Sequence, residues 1–374
     1  MRTDLLALIA IAALVGGCRE EGRKPIAEAS PADGPGGKVD GKGNGGPHDG
    51  AKPKDGPRPR DGVSPADKPK IPDGTASTVF RFVSWADTKT ATTTLSTLAD
   101  QIFAHKPVLT IYPGDMVDSW SSSAMDAWRK AAGGELTSDP TNGTNPNGIF
   151  NITFTVRGNH DNSASGYESW MAANHPLSAA ATAIGAKSFS SLSGKANSVF
   201  SFDYRNAHFV GLDAPGDMTG LSSAQITWLD GDLTAAEGRG VKHTFIYFHG
   251  PIYCCDGHCS CSTGICSTSS VVNSLLSTLN KHASVSATFH GHEHLYSHVY
   301  LDSARDSRIT HAFHHFVTGS AGAGPSSCNQ PGRYDYCMSA NGFVTVDVDG
   351  AKVTVTFYKQ GSTQAQKVIS YTKP

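Results

Sequence analysis

The sequence has no excess of charge of either sign. Its 374 residues contain 31 Lys and Arg side chains against 33 Asp and Glu side chains, which gives a formal net charge of −2 with His neutral. A nucleic-acid-binding domain would show a basic patch or stripe, and this balance argues against one. There is no acidic tail either. The composition therefore predicts no nucleic-acid-binding domain, and it leaves enzymes and other binding proteins open.

A long apolar run is also missing. The run of residues 5–15 near the N-terminus follows Arg2 and stops before Gly16, Gly17 and Cys18. It is too short to cross a bilayer as a helix, and its pattern is typical of a secretory signal. We therefore expect an exported protein rather than one with a membrane-spanning helix.

The residues that end this signal favour a lipoprotein. The segment LVGGC, residues 14–18, resembles a bacterial lipobox, in which the Cys is lipidated and becomes the mature N-terminus. The alternative is a plain signal peptide with an incidental Cys. We expect residues 1–18 to be a lipoprotein signal peptide. Lipidation of Cys18 would anchor the protein to a membrane, in the bacterial periplasm or at the cell surface.

Residues 19–75 have almost no large apolar side chains. They consist mainly of Pro, Gly, Asp and Lys, so they cannot bury enough surface to offset the loss of chain entropy. We expect this segment to be a disordered linker without chemistry of its own. The globular pattern begins at residue 76, so the predicted folded domain spans 76–374.

The cysteines agree with export. Setting Cys18 aside, seven remain, and five of them lie in CCDGHCSCSTGIC. In an oxidising compartment such a cluster is most often held by disulfides. A zinc knuckle that also uses His258 is the alternative, although the spacing is not a clean pair of Cys-x-x-Cys units. Several pairings are compatible with the spacing of Cys254, Cys255, Cys259, Cys261, Cys266, Cys328 and Cys337.

From residue 76 the pattern alternates between strands and helices, which is typical of an α/β fold. We expect strands near residues 78–86, 108–112, 152–156, 199–203, 207–212, 243–248, 286–289, 312–318, 342–348 and 352–358. Helices are expected near residues 91–104, 121–132, 222–236 and 269–281, with Ser222 as an N-cap.

Five of the apolar strands end in polar residues. The five strand ends carry Asp87, Asp115, Asn159-His160-Asp161, His249 and His290-Gly291-His292-Glu293-His294. In open α/β sheets, ligands lie outside the carboxyl ends of the strands. Unpaired, so many desolvated polar groups would be costly. A metal centre at this edge explains them.

These residues resemble the motifs of the calcineurin-like metallophosphoesterases, a family that includes the purple acid phosphatases. Similar stretches also occur at HGPIY (249–253), GHEHLYSH (291–298), VTGSAGAG (317–324) and NGFVTVDV (341–348). The resemblance covers about residues 78–360. It implies a four-layer α/β/β/α sandwich with two mixed β-sheets.

The resemblance also implies a ligand set for two metal ions. Asp115 would bridge both ions, because a carboxylate can offer oxygen to each. The other ligands would be Asn159, His249 and His292 at one ion and Asp87 and His294 at the second. Mixed nitrogen and oxygen ligands suit Fe, Mn or Zn.

By the same resemblance, His160 and Asp161 are the expected catalytic residues. A hydroxide held by the metal ions would attack phosphorus, and His160 would protonate or stabilise the leaving oxygen. Asp161 would orient the His160 imidazole, as a carboxylate fixes a His tautomer.

The sequence departs from the family at two positions. Lys89 stands where the family usually has a His ligand, and Asp118 stands where purple acid phosphatases have a Tyr ligand. A protonated Lys cannot coordinate a metal. Three outcomes are open. Lys89 points away while water or Asp118 fills the gap, or it contacts a substrate phosphate, or the Asp87 site binds metal weakly.

The Cys-rich loop follows His249 directly and is expected at the rim of the site. Tyr253 and His298 are candidates for contacts with the substrate or with the metal ligands. Without a Tyr ligand, the protein should not be purple.

The predicted activity is hydrolysis of phosphoric esters of small molecules, with phosphomonoesters as the first choice. A phosphodiesterase acting on nucleotides or lipid head groups is the alternative reaction. The alternative of another class is a non-catalytic surface lipoprotein with a degraded metal site.

Overall fold

The computed structural model describes residues 78–89, 93–133, 148–216, 221–254 and 270–373. The chain divides by its internal contacts at Lys68, and every described residue belongs to the second unit, Pro69–Pro374. The predicted signal peptide with Cys18 and the linker lie outside the described residues. So do His258 and four cysteines of the loop, namely Cys255, Cys259, Cys261 and Cys266.

The described residues form fourteen strands and six α-helices. The strands are β1 Phe80–Ser84, β2 Leu109–Tyr112, β3 Thr153–Thr155, β4 Lys187–Ser191, β5 Phe200–Tyr204, β6 Ala207–Gly211, β7 His243–Tyr247, β8 Val285–His290, β9 Tyr296–Leu301, β10 Phe313–Thr318, β11 Tyr336–Met338, β12 Gly342–Asp349, β13 Lys352–Lys359 and β14 Ala365–Thr372. The helices are α1 Thr93–Ala104, α2 Ser122–Ala131, α3 Ala164–Asn174, α4 Leu177–Ala183, α5 Ser223–Gly238 and α6 Ser270–Lys281, and a short 3-10 helix spans Ile149–Ile152.

The strands form two mixed sheets. The first has six strands in the order β14-β13-β12-β1-β2-β3, and the second has eight in the order β11-β9-β10-β8-β7-β6-β5-β4. In the first sheet β1, β2 and β3 are parallel, and in the second β6, β7 and β8 are parallel. The predicted pair of mixed sheets is confirmed.

Aromatic side chains fill the space between the two sheets. Phe82 of β1 lies 5.1 Å from Phe209, 4.9 Å from Phe245 and 5.8 Å from Phe289, measured between ring centroids. All four rings are fully buried. Because Phe82 belongs to one sheet and its three partners to the other, these contacts fix the spacing of the sheets.

Helices cover the outer faces. Helices α5 and α6 pack leucines such as Leu229 and Leu275 against Val210 and Ile246 of the eight-stranded sheet. Beyond the other sheet, Trp128 of α2 packs 6.1 Å from Trp85, which follows β1. The result is a sandwich of helix, sheet, sheet and helix layers, as the sequence predicted.

Serine caps fix three of the helix starts, and at α3 the Ser163 side chain accepts from the Gly166 N–H. The Ser222 side chain accepts a hydrogen bond from the Gln225 N–H, and Ser121 does the same for the Ala124 N–H. The predicted N-cap at Ser222 is confirmed. Of the described helices, none combines the length and apolar character needed to span a bilayer.

Candidate metal centre

Loops at the carboxyl ends of five strands bring the predicted ligands together. Asp87, Asp115 and Asn159 follow the parallel strands β1, β2 and β3, and His249 and His292 follow β7 and β8. Parallel neighbours end at the same edge of a sheet. Ligand atoms of Asp87, Asp115 and His249 lie within 4.8 Å of one another, and all three residues are buried.

The backbone at this edge is strained. Asp87, Lys89, Asp115 and His292 have φ angles of 64°, 58°, 58° and 71°, in the left-handed region that side chains other than Gly rarely adopt. They are four of the seven such non-Gly residues in the part of the chain that the structure describes. Strain of this kind persists where the surrounding structure imposes it, and it collects at functional sites.

Glycines allow the carboxylates to come close to neighbouring backbone. A Cβ atom on Gly158 would lie 2.1 Å from Asp115 Oδ1, and one on Gly291 would lie 2.4 Å from Asp87 Oδ2. Neither distance is compatible with a side chain. Both positions therefore need glycine for the two carboxylates to occupy the centre.

The imidazole of His249 presents a lone pair to the centre. Its Nδ1 lies 2.8 Å from the Pro113 carbonyl oxygen, which can only accept, so Nδ1 carries the proton. Its Nε2 then faces Asn159 Oδ1 at 2.9 Å and Asp115 Oδ1 at 3.4 Å. Three lone-pair atoms converge there, which is what a cation requires of its ligands.

His294 is held in the same way beside Asp87. Its Nδ1 donates to the Gly324 carbonyl oxygen at 3.1 Å, and its Nε2 lies 3.7 Å from Asp87 Oδ1. His292 brings Nδ1 to 3.1 Å from Asn159 Oδ1, and its backbone N–H donates to both oxygens of Asp87. The donors thus form one set around Asn159 and another around Asp87.

Charge in the centre is out of balance without a cation. Burial raises the pKa of Asp87 well above its usual value, and the neighbouring Asp115 charge adds to this. Burial would also raise the pKa of Asp115, but the charge and hydrogen bond of His249 hold it below its usual value. Burial alone would lower the pKa of His249, yet the two carboxylates raise it to about 9. A metal ion would supply the positive charge that a proton on His249 otherwise provides, so the residues present fit a metal.

Lys89 points into the centre. Its Nζ lies 3.0 Å from His160 Nε2 and 3.9 Å from Asp115 Oδ2. The sequence left three outcomes open for Lys89, and the structure excludes the one in which its side chain points away from the centre. The side chain of Asp118 is 65% exposed.

The expected role of Asp161 needs correction. Its carboxylate accepts hydrogen bonds from the backbone N–H groups of Asp115, Met116, Val117 and Gly158, at 2.9 to 3.3 Å. It therefore fixes the backbone around Asp115 and is not the group that orients the His160 ring. That ring donates from Nδ1 to the Asp118 carbonyl oxygen at 2.7 Å. Because a carboxylate forms strong hydrogen bonds with nearby backbone N–H groups, Asp161 bonds these groups and not the more distant imidazole of His160.

Two residues that the sequence reasoning missed as parts of the site hold the turn at Thr88. The Tyr112 hydroxyl accepts from the Thr88 N–H at 3.0 Å and lies 2.7 Å from Thr88 Oγ1. Trp128 Nε1 donates to Thr88 Oγ1 at 2.8 Å. Thr88 lies between Asp87 and Lys89, so this network positions both. No pattern in the sequence singles out these contacts.

Two candidate contact residues lie elsewhere. Tyr253 is buried in the apolar layer beside α5 and α6, and its N–H donates to His315 Nε2. His298 lies on β9 and pairs with His314 at 2.9 Å between ring nitrogens. The structure thus places both in packing contacts.

The described cysteines are in disulfides. Cys328 and Cys337 form one, with Cα atoms 5.9 Å apart. Cys254, the first cysteine of the loop after His249, is also disulfide-bonded. The disulfides expected among the cysteines are therefore present at these residues.

Comparison with known sequences gives one family. The family model for calcineurin-like phosphoesterases matches residues 81–296, more than half of the chain. The match spans the strand ends that carry Asp87 through His294. A search of curated proteins finds no matching sequence.

Comparison with solved structures supports the fold. A purple acid phosphatase from yellow lupin (Lupinus luteus) seeds aligns with a TM-score of 0.55 and 15% identity, over 79% of this chain and 54% of the lupin protein. This chain therefore spans about half the length of that protein. A dimetal phosphatase from Danio rerio gives 0.52 and 16%, over 79% and 99% of the two chains. GAP50, the anchor in the inner membrane complex of Plasmodium, gives 0.53 and 14%, over 79% and 89%.

Proposed function

The chain belongs to the calcineurin-like phosphoesterase family, and we propose that it is a phosphoester hydrolase that acts on phosphomonoesters of small molecules. The observation that carries this proposal is the convergence of His249 Nε2, Asn159 Oδ1 and Asp115 Oδ1 beside His160, whose backbone N–H donates to Asp115 Oδ1. Such a set holds a cation next to a group able to move a proton.

We propose Fe, Mn or Zn as the metal, because the donors are imidazole nitrogens and amide or carboxylate oxygens. One donor set is Asn159, His249 and His292, the other is Asp87 and His294, and Asp115 lies between them. Metal bound there would supply positive charge that stabilises the phosphoryl oxygens and acidifies water.

The residues of the chain itself account for leaving-group departure. The Asp118 carbonyl oxygen and the Lys89 ammonium hold the His160 ring from its two nitrogens. With Nδ1–H fixed in this way, Nε2 carries the lone pair that accepts from Lys89, and it is the atom that could take up a proton and pass it to the leaving oxygen when that bond opens. The buried Asp161 carboxylate holds the backbone of Asp115 by accepting from its N–H. Asp115 in turn accepts from the His160 N–H at Oδ1, at 2.9 Å, so Asp161 helps to position His160 through Asp115.

Lys89 favours monoesters over diesters. A phosphomonoester can carry two negative charges where a diester carries one, and Lys89 adds a positive charge at the centre. The resemblance to purple acid phosphatases points the same way, and the lupin enzyme shares the fold.

We also propose that the protein is exported and is anchored through Cys18 in the bacterial periplasm or at the cell surface. The lipobox-like segment of residues 14–18 supports this, and so does the disulfide of Cys328 with Cys337. The substrate would then be a phosphorylated small molecule outside the cytoplasm.

The test is hydrolysis of p-nitrophenyl phosphate and bis(p-nitrophenyl) phosphate by protein loaded with Mn, Zn or Fe. We expect a higher kcat/KM for the monoester and loss of activity with a chelator. His160→Ala should lower kcat by about 10²–10⁴-fold while metal content stays the same. His311→Ala is the matched control, since His311 bonds the Val285 carbonyl oxygen in the sheet.

Each contrary result favours a different alternative. A higher kcat/KM for the diester would make the protein a phosphodiesterase. Bound metal with no hydrolysis of either ester would favour a non-catalytic surface lipoprotein that uses this fold to bind a ligand.

A further inference from the structure

Lys89 is fixed in the centre at both its backbone and its ammonium. The Lys89 N–H donates to the Asp115 carbonyl oxygen at 3.1 Å, and Nζ donates to His160 Nε2 at 3.0 Å. The side chain is only 20% exposed. Because Thr88 is itself tied to Tyr112 and Trp128, the ammonium has little freedom to leave this position.

The position of Nζ leaves the two donor sets with different numbers of possible metal ligands. Asp115 Oδ1 faces His249, whereas Asp115 Oδ2 faces the Lys89 ammonium at 3.9 Å. The set around Asn159 therefore has four donors, counting Asp115. The set around Asp87 has only Asp87 and His294 to itself, and it has an ammonium where a further ligand would stand. An ammonium has no lone pair to offer a metal.

Charge leads to the same conclusion. Asp87, Asp115 and Asp161 are almost fully buried, and one divalent ion together with the Lys89 ammonium balances these three negative charges. A second divalent ion next to the Lys89 ammonium would leave a large uncompensated positive charge in a site of low dielectric. The ammonium and a second metal ion thus compete for one place.

The remaining donors of Lys89 suit a phosphate. An ammonium has three N–H donors, and the hydrogen bond to His160 uses one. Lysine is a common phosphate ligand because it presents a compact point charge. Nζ lies 3.9 Å from Asp115 Oδ2, and Asp115 also belongs to the Asn159 set, so a phosphoryl group bound beside that set would be within reach of the ammonium.

Building on the proposed function, we propose that this centre binds a single metal ion and that Lys89 supplies the second positive charge. The metal would be held by Asn159, His249, His292 and Asp115. Lys89 would contact the phosphoryl oxygens directly, next to His160. This makes Lys89 a phosphate-binding residue that takes the place of a metal ion.

Metal content tests the first half of the proposal. The full chain is dialysed to equilibrium against Mn²⁺ or Zn²⁺, and metal per chain is measured by mass spectrometry. We expect about one ion per wild-type chain and about two for Lys89→His, which removes the charge and restores a ligand. Lys106→His is the matched control, because Lys106 also has a left-handed backbone, with φ of 53°. Two ions per wild-type chain would overturn the proposal.

Phosphate affinity tests the second half. Inorganic phosphate is titrated calorimetrically into metal-loaded wild type, Lys89→Met and Lys89→Arg. We expect Lys89→Met to bind phosphate about tenfold more weakly or worse, and Lys89→Arg to retain most of the affinity. Unchanged affinity in Lys89→Met would remove Lys89 from phosphate binding. If Lys89→Met does not fold, a large loss of affinity in Lys89→Arg, which keeps the charge, would contradict the proposal.

The proposed function and this inference fail in different ways. Hydrolysis of p-nitrophenyl phosphate by wild type that contains two ions would leave the function standing and overturn the inference. One ion per chain and tight phosphate binding, with no hydrolysis of either ester, would leave the role of Lys89 standing and overturn the function.

Discussion

At the scale of single residues, backbone carbonyl oxygens decide which imidazole nitrogen faces the centre. Pro113 binds Nδ1 of His249, Gly324 binds Nδ1 of His294, and Asp118 binds Nδ1 of His160. In each ring Nδ1 therefore keeps its proton and Nε2 points inward. A partner on the outer nitrogen fixes the tautomer and makes the inner nitrogen a better ligand or base.

Asp161 shows how one carboxylate can organise several loops, and its replacement gives a sharp prediction. In Asp161→Asn the amide NH₂ would face backbone N–H groups that now donate hydrogen bonds to the carboxylate. At least one buried donor then loses its partner, so we expect the free energy of unfolding to fall by about 1–3 kcal/mol. Urea unfolding of the full chain measures this.

Asp118→Asn is the control for that experiment, because Asp118 lies beside the same ring but its side chain is mostly exposed. Its stability should stay within about 0.5 kcal/mol of wild type. If Asp161→Asn were equally stable and lost only turnover, Asp161 would orient the His160 ring after all.

The site residues differ in how far the sequence reveals them. Asp87, Asp115 and His249 follow buried strands, so their convergence could be predicted from periodicity and topology alone. The contact of Lys89 with His160 could not, since the two are 71 residues apart and meet only through the left-handed turn at Lys89. The same holds for the network of Thr88, which depends on the packing of α2.

At the scale of secondary structure, the strands that sequence reasoning missed are mostly short or exposed. Strands β4 and β14 lie at sheet edges and keep half-exposed polar side chains, so they lack a clear apolar pattern. Strand β11 has only three residues. Helices α3 and α4 were also not predicted. Strand β9 was missed as well, although it lies inside its sheet, because Ser297 and His298 interrupt its apolar residues. The other inner strands were predicted because burial on both faces gives continuous apolar runs.

A buried ionic contact ties α5 to the hairpin of β5 and β6. His208 on β6 bonds Asp203 of β5 at 2.7 Å and Asp232 of α5 at 2.9 Å. Burial would lower the pKa of His208, but its hydrogen bonds to the two carboxylates raise it. Burial would raise the pKa of Asp203, but His208 and Arg239 lower it to about 2.

These shifts predict how stability depends on pH. His208 contributes fully below its unfolded pKa of about 6.5, and the contribution is lost as pH rises through the raised folded pKa. His208→Gln should therefore lower the free energy of unfolding by about 1–3 kcal/mol at pH 5. The difference from wild type in urea unfolding should shrink as pH rises above 6.5.

His175 provides a control of opposite sign. Burial lowers the pKa of His175 to about 4, so the folded protein prefers the neutral ring. Its contribution is present above about pH 6.5 and is lost as pH falls towards 4. His175→Gln should thus differ least from wild type in acid. If the loss of unfolding free energy relative to wild type changed with pH in the same way for His208→Gln and His175→Gln, the proposed role of the His208 contact would be contradicted.

At the scale of the whole molecule, the packing of the two sheets sets the distances within the centre. Asp87 and Asp115 come from one sheet and His249 and His292 from the other, so the aromatic layer around Phe82 holds the two halves in register. The fold leaves open which chemistry takes place there, because that depends on the side chains at this edge. Lys89 is the residue that makes this edge differ from the expected pattern.

Anchoring is the last property of the whole molecule that a single substitution can test. If Cys18 carries acyl chains, wild-type protein expressed in a bacterium should sediment with membranes and enter the detergent phase of Triton X-114. Cys18→Ser should move to the aqueous phase, because each buried methylene of an acyl chain contributes about 0.8 kcal/mol to membrane binding. Hydrolysis of p-nitrophenyl phosphate per molecule should be the same in both, since Cys18 precedes the linker. Variant protein that stays with the detergent phase would show that another part of the chain binds the membrane.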